Sequence, residues 1–139
     1  MRIAVSREMS NSRFNYKNEA EFSKSIVAFW RSRGYFVQLI ETGTVNRGVP
    51  DIYVASKKGA LWVELKRIHH NAYNNMVIPW RPGQQGWMLE HYITVGKACI
   101  TIACCDDVIL VIEMNKRFKK NIVQLSDCKT AYALKELVL

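Results

Sequence analysis

Two short runs, DIYVAS over 51–56 and ALWVELKRI over 60–68, constrain this chain more than any other feature. Both are rich in apolar, β-branched and aromatic residues, and Lys57-Lys58-Gly59 between them has the composition of a tight turn, so the segment predicts a β-hairpin. The hairpin carries a conflict. Side chains alternate between the two faces of a strand, so Val63 and Leu65 point one way while Glu64 and Lys66 point together the other way. Two charged groups on so apolar a strand are costly to bury unless they find partners. Asp51 opens the first strand of the hairpin, which lets its carboxylate approach that of Glu64.

The remaining segments supply elements to cover this hairpin. From Asn18 to Arg33, Phe22, Ile26, Phe29 and Trp30 recur at helical spacing and Gly34 supplies a stop, predicting an amphipathic helix. YFVQLIET then reads as a strand and GTVNRGVP as a loop. HHNAYNNMVIPWRPG is too long and irregular for a simple turn. Gln84 to Val95 predicts a second helix, with Trp87, Met88 and Tyr92 toward the core and Gly96 as its end. KACITIACC and DVILVIEM are two further strands joined at Asp106-Asp107. SDCKTAYALKELVL is expected to close the chain as a helix, with Ser126 or Asp127 as N-cap. The order α-β-β-β-α-β-β-α fits an α/β (α+β-like) class, a central mixed β-sheet flanked by helices. Residues 1–16, polar and irregular, are read as a flexible arm and 17–139 as a single domain, which suits a chain of 139 residues.

Composition narrows the partners. The chain carries 20 Lys and Arg against 12 Asp and Glu, a formal charge of +8. That excess favours a polyanion such as DNA, since each neutralised phosphate releases condensed counterions. No amphipathic basic helix suits a membrane surface, no segment is apolar enough to span one, and no signal peptide is apparent. Cys99, Cys104, Cys105 and Cys128 form no CxxC pair and sit mostly in or beside apolar runs, so buried free thiols in a reducing, cytoplasmic setting are expected.

The chemistry centres on Asp51, Glu64 and Lys66. Two neighbouring carboxylates repel, and a divalent cation between them removes that cost. Mg²⁺ or Mn²⁺ suits an all-oxygen set, to which the main-chain carbonyl of Leu65 could add a ligand. Lys66 beside them could help deprotonate an attacking water or stabilise charge on a phosphate. Activated water, a Lewis acid and a cation are the parts that phosphodiester hydrolysis needs. No small-molecule cofactor is called for.

GVPD followed after twelve residues by ELK resembles the PD-(D/E)xK nucleases, and more narrowly the virus-type replication-repair nuclease group (VRR-NUC). Three further features match that group: a helix bearing a glutamate (NEAEFSKSIVAFWRSRG), a loop rich in glycine and arginine (GTVNRGVPD), and a Q-x-x-W helix after the ExK strand (RPGQQGW). The resemblance spans Glu19 to Ile102. It implies a restriction-endonuclease-like core and a third acid on the first helix. Glu19 is preferred for that acid because it shares the apolar stripe of Phe22 and Ile26; Glu21 is the alternative. Gln84 matches the family's glutamine, with Gln85 the alternative if the register slips by one. The resemblance also implies a phage-type stand-alone nuclease acting on branched DNA such as four-way junctions, as a homodimer in the host cytoplasm.

Arg47, Arg67, His69, His70 and Arg81 lie in the loops beside these motifs and are candidate DNA contacts. Lys116, Arg117, Lys119 and Lys120 form a second basic cluster around Phe118, suited to a phosphate backbone or to a solvated turn. The histidines admit solvated, substrate-contacting and metal-ligating readings. Trp87 is expected in the core. AYALKELVL or DVILVIEM could serve as a dimer face or as core. Rival functions are an inactive DNA-binding module on a nuclease fold, which the presence of Asp51, Glu64 and Lys66 argues against, and a sequence-specific restriction enzyme, for which the chain has little room to add base-reading elements.

Overall fold

The computed structural model describes residues 2–3, 16–40, 48–68, 75–106 and 108–139. Helix α1 spans Glu19–Ser32, started by Asn18, whose side-chain oxygen accepts the Glu21 N–H at 3.0 Å. That cap satisfies one of the donors that a helix start leaves open, and the acids Glu19 and Glu21 suit its positive end. Gly34, at φ +81°, turns the chain out of the helix.

Six strands form the main sheet: β1 (Phe36–Leu39), β2 (Ile52–Ser56), β3 (Gly59–Arg67), β4 (Cys99–Cys104), β5 (Ile109–Met114) and β6 (Cys128–Ala131). They lie side by side in chain order. Neighbours are antiparallel except β3 and β4, which run parallel, with Val63 opposite Ile100 and Arg67 opposite Cys104. A parallel pair needs a long crossover, and here it contains helix α2 (Gln84–Val95), ended by Gly96 in the left-handed conformation. The hairpin turns at Lys57 and Lys58, with Ser56 opposite Gly59 and Ile52 opposite Val63.

Two cores follow from the two faces of this sheet. On one, Phe22, Ile26 and Trp30 of α1 pack against Val63, Leu65, Ile100, Ile102 and Val111. On the other, Met88 of α2 joins Ala103, Leu110, Ile112, Trp80 and Phe118. The long polar segment after β3 contributes to the second core: Met76–Val77 pairs with Ile122–Val123, and Ile78 and Trp80 are buried. Trp87 is half-buried there, edge-on to Trp62 at 5.6 Å. The four cysteines form no disulfide; burial lifts the thiols of Cys99, Cys104 and Cys128 to about 12, which keeps them in the unreactive protonated form.

The closing helix expected over 126–139 does not form. Leu125–Asp127 and Leu134–Glu136 are single 3₁₀ turns, Cys128–Ala131 is the edge strand β6, and Leu137–Val138 pairs with Arg2–Ile3. The reason is tertiary. β5 is buried along nearly its whole length, and its outer edge would leave backbone groups unpaired without β6, which lies with Ala131 opposite Ile109 and Cys128 opposite Ile112. The buried Glu136 carboxylate accepts the Tyr132 and Ala133 N–H groups and ends the strand, and Trp30 donates its indole N–H to the Leu137 carbonyl at 2.8 Å. The pairing of Arg2–Ile3 ties the first residues of the expected arm to this tail, while 4–15 lie outside the described residues.

Candidate active site

β3 delivers Glu64 and Lys66 to the α2 side of the sheet, as the alternation requires, and both are buried, at 0% and 3% exposure. Lys66 Nζ stands 3.1 Å from Glu64 Oε2. Gln84, the first residue of α2, donates its amide to the same oxygen at 2.8 Å, and its own carbonyl oxygen accepts the Arg81 N–H at 2.8 Å. Asp51, just ahead of β2, accepts the Leu65 N–H on Oδ2 at 2.9 Å. Glu19 opens α1. The three acids come from three separate elements, yet one carboxylate oxygen of each lies within 4.8 Å of the others.

The electrostatics of this cluster are unfavourable as they stand. Burial, reinforced by the Asp51 charge and only partly offset by Lys66, raises the Glu64 carboxyl from the ordinary 4.5 to about 8. Burial also raises Glu19, with Lys66 opposing and Asp51 adding to the effect. Among the described residues, Glu19 Oε1 and Glu64 Oε1 are buried without a hydrogen-bond partner. Native proteins seldom leave such oxygens orphaned. A hard divalent cation would satisfy both and relieve the repulsion, and an all-oxygen donor set fits Mg²⁺ or Mn²⁺.

The competing residues are separated by geometry. Glu21 is exposed and accepts the Lys17 N–H at 2.8 Å, an N-terminal capping contact away from the acids. Gln85 points elsewhere than Gln84: it accepts the Phe118 N–H at 2.8 Å and donates to the Phe118 carbonyl and Asn121 Oδ1. An open cleft of about 260 Å³ leads to the cluster, lined by Asn18, Glu19, Lys66, Arg67, Pro79 and Arg81.

The candidate DNA contacts divide. Arg81 is exposed on the cleft wall. Arg67 is held inward: its guanidinium donates to the carbonyls of Tyr16, Ile68 and Cys104 and pairs with Asp106. A side chain so engaged braces the ends of β3 and β4 while lining the cleft. Lys116 pairs with Asp127 at 2.8 Å and lies over the Phe118 ring, whereas Arg117, Lys119 and Lys120 are exposed. Arg47, His69 and His70 lie outside the described residues. Of the two segments considered as a dimer face, the first forms the mostly buried strand Ile109–Met114, paired on both sides, and AYALKELVL buries Ala131 and Leu137 against α1.

Sequence reasoning did not single out the contact between Gly48 and Gly83, which joins the loop of Asp51 to the start of α2. Its only trace in the sequence is a glycine ahead of each functional residue.

No family model matches the chain, and no curated protein matches it either. The architecture is a restriction-endonuclease-like arrangement, a central mixed sheet flanked by helices. The chain is similar in structure to Hjc, a Holliday junction resolvase from the archaeal hyperthermophile Archaeoglobus fulgidus. The TM-score is 0.58 at 12% identity, over 77% of this chain and 88% of that one. Among the described residues, no helix is long and apolar enough to cross a membrane.

Proposed function

We propose that the chain is a Mg²⁺- or Mn²⁺-dependent endodeoxyribonuclease that cuts branched DNA, four-way junctions foremost. The observation that carries this reading is the acid cluster: three carboxylates within 4.8 Å, two of their oxygens buried without partners, beside a buried lysine. The Hjc likeness supports the substrate class through the fold that the two chains share.

Asp51, Glu64 and Glu19 would hold the cation. Because Gln84 and Lys66 both engage Glu64 Oε2, they leave Oε1 as its ligand atom. Asp51 is oriented by the Leu65 N–H in the same way. In a strand the N–H and C=O of one residue leave by the same edge, which supports the Leu65 carbonyl as a further ligand. A bound divalent cation supplies Lewis acidity toward a phosphoryl oxygen and a source of hydroxide at neutral pH. Lys66 stabilises the negative charge that builds on the attacked phosphate, and its burial strengthens that effect. Gln84 keeps Glu64 from turning away. Arg81 on the cleft wall grips the neighbouring phosphate, and Arg117, Lys119 and Lys120, tethered to α2 through Gln85, extend the basic track; Arg47, His69 and His70 are proposed as further DNA contacts from the sequence alone. A phage-type VRR-NUC homodimer working in the host cytoplasm would place two such sites on opposite strands of a junction.

The test is cleavage of labelled four-way junction, flap, duplex and single-stranded DNA with Mg²⁺, Mn²⁺ or EDTA, beside Lys66→Ala. Metal-dependent cutting of the junction that vanishes in the variant is expected. Salt-sensitive binding without cutting under any metal would replace this reading with a DNA-binding module.

A further inference from the structure

We infer that Gly48 is a positioning residue, whose missing side chain lets the loop carrying Asp51 seat directly on the turn carrying Gln84. The inference rests on the proposed metal site and deepens it. Gly48 is buried at φ +93°, a conformation that side chains disfavour. A β-carbon there would lie 2.4 Å from the Gly83 carbonyl oxygen, 2.9 Å from its carbon and 3.1 Å from Trp87 Cβ. Each of these atoms is backbone or the root of a side chain, so none can swing aside. Gly83 is itself pinned, since its carbonyl accepts the Trp87 N–H at 3.0 Å inside the first turn of α2.

The contact sits between the two arms of the site. Three residues along one arm, past the stiff Pro50, stands Asp51. On the other arm the next residue is Gln84, which holds Glu64 at 2.8 Å. Opening the clasp from 2.4 Å to the 3.4 Å of ordinary contact moves one arm by about 1 Å relative to the other. Hydrogen bonds of 2.8 and 2.9 Å and a carboxylate cluster 4.8 Å across do not absorb such a shift unchanged. Misplacement on that scale can cost about 100-fold in rate. Gly48 thus sets the spacing between the cation's ligands and the residue that orients one of them.

Gly34 provides the control. Its φ is +81°, but an added β-carbon meets nothing within 4 Å, so Gly34→Ala carries the backbone strain without the collision. For wild type, Gly48→Ala and Gly34→Ala, the measurements are Mn²⁺ affinity by calorimetry without DNA, exchange of the Leu65 amide in metal-free protein, and kcat and KM on a four-way junction. Gly48→Ala is expected to weaken Mn²⁺ at least tenfold, to speed Leu65 amide exchange, and to lower kcat about 100-fold with little change in KM. Gly34→Ala is expected to match wild type in all of these. Wild-type behaviour of Gly48→Ala overturns the inference, as does failure of Gly48→Ala to fold while Gly34→Ala folds, since the contact would then serve stability alone. A wild-type chain that neither binds Mn²⁺ nor cuts would defeat the nuclease reading instead. The Leu65 amide would still decide whether Gly48 positions Asp51.

Discussion

The two sides of strand β3 are sealed from water equally well and for opposite ends. Toward α1, Val63 and Leu65 meet Phe22, Ile26 and Ile102 in a cluster built of apolar side chains. Toward α2, Glu64 and Lys66 are as deeply buried, but they meet each other, Gln84, and a carboxylate oxygen each of Asp51 and Glu19. Burial stabilises the first side. On the second it destabilises the metal-free chain, because charges are removed from water with some of their hydrogen-bonding capacity unmet. A single strand therefore separates the part of the molecule that holds the fold from the part that does the proposed chemistry, one residue apart.

The sharpest way to break this contrast is to neutralise the α2 side. Lys66→Ala is expected to lower junction cleavage by at least about 10²- to 10³-fold, the scale of losing one transition-state stabiliser. Glu64→Gln should abolish metal-dependent cutting while raising the thermal midpoint of the metal-free protein, since it removes the cost of neutralising a buried carboxylate and keeps the shape. A lower midpoint in EDTA would show that the Lys66–Glu64 pair is a net stabiliser. On the α1 side, Leu65→Ala should cost about 2–5 kcal/mol in denaturant unfolding. Its cleavage rate per folded molecule should fall far less than that of Lys66→Ala.

The two sides also differ in their response to pH. With its folded-state carboxyl raised from 4.5 to about 8, Glu64 keeps a proton that the unfolded chain releases. Its contribution to stability is fully present below about pH 4.5 and is lost as pH climbs through 8. The raised Glu19 acts in the same direction. Thermal melts in EDTA should therefore show the midpoint falling across that window, with a shallower fall in Glu64→Gln. The stabilisation conferred by Mg²⁺ should grow over the same window, because the cation binds the deprotonated acids. A flat profile in EDTA would mean that Glu64 is ionised in the folded chain at ordinary pH.

The smallest expected effects separate two arginines on the cleft. Arg81→Ala should leave stability unchanged and reduce the salt dependence of junction binding by about one phosphate contact. Arg67→Ala should cost about 1–3 kcal/mol, because its guanidinium ties the carbonyls of Tyr16 and Cys104 together through part-buried hydrogen bonds. Equal loss of DNA affinity in both would return Arg67 to the substrate surface.

Local pattern and tertiary context contributed unequally to these assignments. The β3 alternation, the start of α1 at Asn18 and the span Gln84–Val95 were legible because spacing and caps act over a few residues. Glu19 followed from the apolar stripe, and the structure joins it to Asp51 and Glu64. The carbonyl partners of Arg67 were not legible, because a cation in a loop-flanking position looks the same whether its partners are phosphates or its own carbonyls.

By itself, the sequence determined which residues face together on each element, since the 2- and 3.6-residue periods are properties of the backbone. It thereby determined that Glu64 and Lys66 share a face and that α1 and α2 are helices. Only the tertiary structure decided that 128–131 forms an edge strand rather than helix, because the partner it satisfies, β5, is sixteen or more residues away. Only the tertiary structure brought three acids from three elements within 4.8 Å, and a glycine against a glycine to hold them there. Those contacts join residues far apart along the chain, and no local period encodes them.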